Sequence, residues 1–435
     1  MRRRIQVRLG VTARLVGELV HENDGRREHS VFSYAPEWQS APDAFAISPQ
    51  LPVGGGVFHL TGQGNREAIP AVMMDGGPDS WGRAVIHSGL GRHCDDLDYL
   101  LEVDDCLRTG ALRYFNDEGT PLAPPRSQRI PRLAEMSDLV EAARRFDADP
   151  EGYPRLRAEF MAVAGSLGGA RPKLCVADQS GGLWIAKLAR TTDRLPVARA
   201  EVLALHLARG AGIRAAKARL MHGKGEHPLA LIRRFDRTAD RRRLHFMSAQ
   251  TMLGLGGAAP GDYVCMAEAL RSHGHEPAAQ MAELFRRLVF TILVSNHDDH
   301  LRNHGFVYAG NSRWQLSPAY DINPEPDTRG NLKTAISEIH GFQPSIEAAI
   351  EAAPFFDLDA DSAAKFAGTM AEYISDNWRP LGEKLGMKPA ELRLYAAAFE
   401  HEEARAALRC NAGKVTMGRS SPGTSVDGGV SGPDI

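Results

Sequence analysis

The chain has 435 residues, 43% hydrophobic and 24% charged, with a formal net charge of -2. That is room for about two or three domains with a sizeable core, and it excludes a global basic field that would draw the chain onto nucleic acid. Five scattered cysteines (Cys94, Cys106, Cys175, Cys265, Cys410), never in a C-x-x-C pair, exclude a disulfide framework and a cysteine zinc site and fit a reducing cytosol, so a cytoplasmic location is expected.

The start, Met1-Arg2-Arg3-Arg4, is basic but lacks a signal peptide's apolar block, and no run of eighteen apolar residues predicts a membrane span. Alternation at Ile5, Val7 and Leu9 predicts a strand, with further strands at Leu15–Leu19 and Val31–Tyr34. Prolines and glycines punctuate residues 42–77 into loops with short strands. Asp79 or Ser80 then caps a helix, and Gly110–Phe115 reads as a strand ending in the turn Asn116–Gly119. Residues 119–132 are rich in Pro, Ser and Arg, a linker composition, and a helix is expected from Leu133 to about Arg145. Residues 1–125 are thus expected to form a β-rich N-terminal subdomain. Its aromatic residues Phe32, Tyr34 and Trp38 are candidates either for a partner contact or for the core.

Residues 126–237 bring a glycine-rich stretch, Gly165-Ser166-Leu167-Gly168-Gly169-Ala170, followed by a strand at Leu174–Val176. A second strand, Trp184–Leu188, carries Lys187, and a helix, Val197–Arg209, carries Glu201. In protein kinases a glycine-rich loop covers the nucleotide phosphates, and a strand lysine touches them and pairs with a helix glutamate. Backbone N–H groups approach phosphates only where side chains are absent, which is the use of Gly168, Gly169 and the small Ala170. No GK[ST] follows, so this is not a Walker loop. The apolar strand Leu229–Ile232 then runs into a charged elbow, Arg234-Phe235-Asp236, where two lobes of a nucleotide-binding fold would join.

Residues 238–410 are expected to be mostly helical, at Met266–Ser272, Ala278–Val294 and through 345–409. The Gly-, Ser-, Pro- and Thr-rich residues 411–435 read as a disordered tail. After the buried-helix pattern Leu284, Leu288, Ile292 comes the polar run Ser295-Asn296-His297-Asp298-Asp299-His300-Leu301-Arg302-Asn303-His304. A short strand, Phe306–Tyr308, separates it from Leu316-Ser317-Pro318-Ala319-Tyr320-Asp321. An acid and an amide, followed by another acid beyond a strand, is a layout for phosphoryl transfer. One carboxylate deprotonates a hydroxyl, while the amide oxygen and second carboxylate hold Mg²⁺.

Six motifs in order resemble those of the HipA family of serine/threonine-protein kinases, toxins of type II toxin–antitoxin systems. They are Leu107–Tyr114, Ser166–Lys173, Ile185-Ala186-Lys187, Arg234–Arg237, Asn296–Asn303 and Leu316–Asp321, spread over roughly residues 5–405. The resemblance implies an α+β, bilobal protein-kinase-like fold with an added N-terminal subdomain and a mostly helical C-terminal lobe. It makes Asp298 the catalytic base, with His300 on the catalytic-loop histidine, and Asn303 and Asp321 the Mg²⁺ ligands. Lys187 becomes the phosphate-binding lysine, partnered by Glu201, and Arg234-Phe235-Asp236 the nucleotide hinge. Ser166 falls on the serine whose autophosphorylation inactivates similar proteins. ATP and Mg²⁺ are the implied cofactors. A small helix-turn-helix antitoxin is the implied partner, with DNA reached only through it, and a translation protein such as an aminoacyl-tRNA synthetase the implied substrate. Arg302, His304 and Arg233 depart from the family's usual residues.

Two rival readings are a metal-dependent phosphohydrolase, which needs further ligand histidines at motif spacing, and an inactive kinase-like binding or co-repressor protein. The first leaves the glycine stretch, Lys187 and Glu201 without a task. The second is weakened by the retention of base, metal ligands and lysine.

Overall fold

Alternating burial turns the first residues into an antiparallel sheet. In β1 (Arg2–Leu9) Ile5 and Val7 face the core, and in β2 (Arg14–Asn23) Val16 and Leu19 do the same. With β3 (Glu28–Tyr34), β4 (Val57–Thr61) and β5 (Leu112–Phe115) they form a five-stranded sheet in the order β4-β3-β2-β1-β5. The computed structural model describes residues 2–62, 68–122, 130–136, 140–141, 171–188, 195–222, 228–257, 259–327 and 329–412. Phe32, Tyr34 and Trp38 are buried in this subdomain, which settles them as core rather than contact surface. Its two longer helices are α1 (Ser80–Leu90) and α2 (Asp96–Glu102). Asp79 is the N-cap of α1, accepting from Gly82 N at 2.6 Å, and Asp95 caps α2, accepting from Asp98 N at 2.7 Å.

A second antiparallel sheet, in the order β6-β7-β9-β8, is made by β6 (Lys173–Ala177), β7 (Leu183–Lys187), β8 (Ala218–Met221) and β9 (Leu229–Arg233). Helix α3 (Val197–Gly210) accompanies it and buries Ala200, Leu203, Ala204 and Leu207. Trp81 and Val85 of α1 pack into the same apolar cluster as Leu174, Val176, Ala186 and Leu231 of the sheet. The N-terminal subdomain therefore shares a core with this sheet instead of hanging from a linker.

The remaining residues are mostly helical. A small sheet of β10 (Phe246–Ser248), β11 (Gly305–Gly310) and β12 (Arg313–Leu316) sits among α4 (Tyr263–His273), α5 (Pro277–Leu293), α6 (Ala360–Lys384), α7 (Pro389–Phe399) and α8 (Glu402–Ala412). In α5 Leu284, Leu288 and Ile292 are buried, and so are Phe285 and Val289. That rigid rod ends where the polar run begins. Among the described residues no helix is long and apolar enough to cross a membrane.

Two expectations change. Only a 3-10 turn, Leu133–Glu135, and single helical residues at Met136, Val140 and Glu141 are seen of the helix expected to reach Arg145, the rest lying outside the described residues. Asn411 and Ala412, assigned to the tail by composition, close α8 instead. Residues 413–435 lie outside the described residues.

Candidate active site

A cleft of about 1090 Å³ opens between the second sheet, the N-terminal subdomain and the loops after α5 and β12. Lys187, Arg234, Phe235, Asp236, Asp298, His300, Asn303 and Asp321 all line it. Lys187 is the last residue of β7, so the strand fixes its direction. Its ammonium lies 2.6 Å from Glu201 Oε1 and 2.5 Å from Asp321 Oδ1. Burial opposes charge on Lys187, but the two carboxylates outweigh it and raise its pKa above the ordinary lysine value. Burial likewise works against ionisation of Asp321, yet the Lys187 ammonium beside it holds its carboxyl down to about 2. Lysine and acid are both charged at neutral pH.

The loop after α5 has a definite internal order. His300 N donates to the Asp298 carbonyl at 2.9 Å, Asn303 N to the His300 carbonyl at 2.8 Å, and Asn303 Nδ2 to the Asp298 carbonyl at 2.9 Å. Those bonds tie the loop round the Asp298 backbone and leave its carboxylate exposed in the cleft. They also assign the donor half of the Asn303 amide to the loop, so that its oxygen is the half a cation could take. Ser295 and Asp321 have φ of 50° and 57°, left-handed values that L residues seldom adopt. Asn296 Oδ1 accepts from Asn323 N at 3.2 Å, joining this loop to the segment that carries Asp321.

Asp299 has a different surrounding from its neighbour. It is buried, accepting from Tyr263 Oη and, at 3.1 Å, pairing with His304 Nε2. Its carboxylate is spent on holding the loop, which separates it from Asp298 as a candidate base. His304, one of the departures from the family pattern, is thereby explained. So is Arg302, whose Nε donates to Gln250 Oε1 at 2.9 Å. His300 lines the cleft with Nδ1 buried and without a hydrogen-bond partner.

The elbow serves a second purpose that sequence reasoning missed. Arg234 Nε donates to Asp236 Oδ1 at 2.9 Å and its Nη1 to the Leu107 carbonyl at 2.7 Å, while Asp236 Oδ2 accepts from Gly110 N at 2.9 Å. Both side chains therefore clamp the N-terminal subdomain, and the elbow keeps its backbone and the Phe235 ring for the cleft. Gly168, Gly169, Ala170 and Ser166 lie outside the described residues.

Two further site residues were not foreseen as such. Lys173 lies directly opposite Lys187 in the β6–β7 register, so both ammonium groups project from one face. Its Nζ is 2.6 Å from Oδ2 of Asp79, with both side chains 3% exposed. Asp79 reads from sequence only as a helix cap. Joining it to a lysine 94 residues away needs the tertiary fold.

Residues 165–379 match the family model described as the HipA-like C-terminal domain. Residues 165–379 are thus a HipA-like C-terminal domain. A Haemophilus influenzae protein named "Putative kinase" is 30% identical over 169 residues, 36% of this chain and 45% of that protein. A Sinorhizobium fredii protein, also named "Putative kinase", is 33% identical over 161 residues, 34% of this chain and 38% of that protein. The match thus spans less than half the length of each curated relative. The HipA of Shewanella oneidensis MR-1, solved with HipB and operator DNA, superposes with a TM-score of 0.68 at 18% identity, covering 94% of this chain and 97% of that one. The α+β HipA fold therefore extends over the N-terminal subdomain as well as the C-terminal domain.

Proposed function

We propose that this chain is an ATP- and Mg²⁺-dependent kinase that phosphorylates serine or threonine on a protein. The observation behind this reading is the convergence of Lys187, Asp298, Asn303 and Asp321 on one cleft, with Glu201 bound to the Lys187 ammonium from behind. The Asn303 amide oxygen and the ionised Asp321 carboxylate are the hard oxygen donors that Mg²⁺ prefers. Bound there, the ion would neutralise charge on the nucleotide phosphates. Lys187 offers a compact positive charge for the same phosphates, and Glu201 keeps it aimed. Asp298 accepts the substrate hydroxyl's proton as that oxygen bonds to the γ-phosphorus and ADP departs.

The finer parts rest on the family. Gly168, Gly169 and Ala170 would cover the phosphates, with Arg234-Phe235-Asp236 as hinge. A phosphate on Ser166 would add about -1.5 to -2 charge where the nucleotide's own phosphates lie, and so would switch the enzyme off. A toxin role, with a small helix-turn-helix antitoxin as partner and DNA reached through it, is supported by the Shewanella HipA having been solved with HipB and operator DNA. The substrate proposed is a translation protein, of which aminoacyl-tRNA synthetases are one class, in a cytoplasmic setting. The proposed division is an N-terminal subdomain over 1–125, a nucleotide-binding lobe over 126–237 and a helical lobe over 238–410. The phosphohydrolase rival would want histidine and carboxylate donors grouped in the cleft. Among the described residues the one such group, His21, Glu28 and Asp95, lies outside it.

Labelled ATP added to cell lysate with wild-type or Asp298→Asn protein tests the reading. Phosphoserine or phosphothreonine on a protein is expected with the wild type, and a loss of roughly 10²–10⁴-fold in rate with the variant. Equal labelling by both would remove Asp298 from the mechanism.

A further inference from the structure

The β2–β3 hairpin carries a polar cluster that phosphoryl transfer does not use. Strand alternation puts His21 and Asn23 on one face of β2, and the register sets them opposite Ser30 and Glu28 of β3, so all four project from the same side. The N-terminus of α2 meets that face with Asp95. His21 and Ser30 are fully buried, at 0% exposure. Nδ1 of His21 is 2.9 Å from Ser30 Oγ. Its Nε2 is buried, has no hydrogen-bond partner, and lies 3.7 Å from Asp95 Oδ2. One donor atom from each of His21, Glu28 and Asp95 falls within 4.8 Å of the others.

The carboxylates already have lateral partners. Asp95 Oδ2 accepts from Arg3 Nη2 and, at 3.3 Å, from Asn23 Nδ2, while Arg3 Nη1 donates to Asp98 Oδ1 at 2.7 Å. Glu28 Oε1 accepts from Asn23 Nδ2 at 2.7 Å. None of these donors reaches the imidazole. If Ser30 accepts from Nδ1–H, the tautomer is fixed with the lone pair on Nε2, the arrangement a hydrogen-bonded metal-ligating histidine adopts.

We propose that His21, Glu28 and Asp95 bind a divalent transition-metal ion of the zinc type, with solvent completing the coordination. One imidazole and two carboxylates suit zinc, cobalt or nickel better than Mg²⁺ or Ca²⁺, which take oxygen ligands throughout. Bonds of about 2.0–2.2 Å would set the donor atoms roughly 3.3 Å apart, so closure asks for side-chain shifts of about an ångström. None of the three residues lines the cleft. The ion would staple the hairpin to α2, a structural task independent of the kinase reading.

The test uses the full chain in an Asp321→Asn background, which removes a cation ligand from the cleft. After chelation and dialysis the protein is titrated with Zn²⁺ by calorimetry and with Co²⁺ by visible absorption. One equivalent is expected, with the d–d bands of nitrogen-ligated cobalt and a melting temperature raised by Zn²⁺. Glu28→Gln keeps the shape of a partly exposed side chain and should weaken binding at least about tenfold, with Ser30→Ala weakening it by a similar factor through the freed imidazole. The metal-free melting temperature of Glu28→Gln should match its parent. No equivalent taken up by the Asp321→Asn protein, or Glu28→Gln binding as tightly as its parent, would overturn the proposal.

Discussion

Asp298 and Asp299 are adjacent and chemically identical, and in the sequence only motif position, by family resemblance, ranks them. Solvent does. Asp298 is exposed in the cleft, whereas Asp299 is locked beneath it by Tyr263 and His304. Their asparagine variants should therefore fail differently. Asp298→Asn should keep its melting temperature while losing phosphoryl transfer. Asp299→Asn should lower stability by about 1–3 kcal/mol, the cost of weakened charge-assisted bonds at a buried site, and any loss of activity should follow the unfolding. Denaturant titration beside a kinase assay separates the two. A stable, inactive Asp299→Asn protein would shift the base to that residue. The pairing of Lys187 with Glu201 was legible because a strand lysine followed by a helix glutamate is an ordered pattern. Lys173 was not, because its meaning comes from the strand beside it.

Elements with long, regular patterns were legible. The alternation of β1 and the repeat of α5 gave their type and nearly their limits. The four-residue strands β8 and β12 were not, since Ala218–Met221 and Arg313–Leu316 are too short and too mixed in polarity to show a period. They exist because β9 and β11 offer them an edge. The contact between α1 and β6 lies at this scale too. Asp79→Asn would strip the buried Lys173 ammonium of its carboxylate, and removing one partner of such a pair costs about 3–5 kcal/mol. A loss of that size in denaturant unfolding, with reduced phosphoryl transfer below the melting temperature, is the expected outcome. An unchanged midpoint would show the pair to be dispensable.

Across the molecule, the position of the N-terminal subdomain was the least legible feature. Composition marked a linker at 119–132, which invites a picture of two loosely tethered parts. The fold instead joins them through Trp81, Asp79 and the Arg234–Asp236 clamp. His245, just before β10, adds a link with its own pH signature. Its Nε2 is 2.8 Å from the Ile47 carbonyl, and its Nδ1 is buried without a partner. Burial lowers its pKa from 6.5 to about 4. Below 6.5 the unfolded chain takes up a proton that the folded one refuses until about 4, so stability falls as pH drops through that window. The slope from this residue is at most about 1.4 kcal/mol per pH unit. Denaturation at pH 7 and pH 5 should show the decline, and His245→Gln, which can still reach the Ile47 carbonyl, should flatten it. An identical pH dependence in that variant would assign the effect to other histidines.

The Arg234–Asp236 clamp ties one wall of the cleft to Leu107 and Gly110, at the threshold of β5. A protein gripping the outer sheet and tugging on that threshold would loosen that wall. A molecule packed against the wall would, conversely, stiffen a surface far from Asp298. The two events are one lever seen from opposite ends.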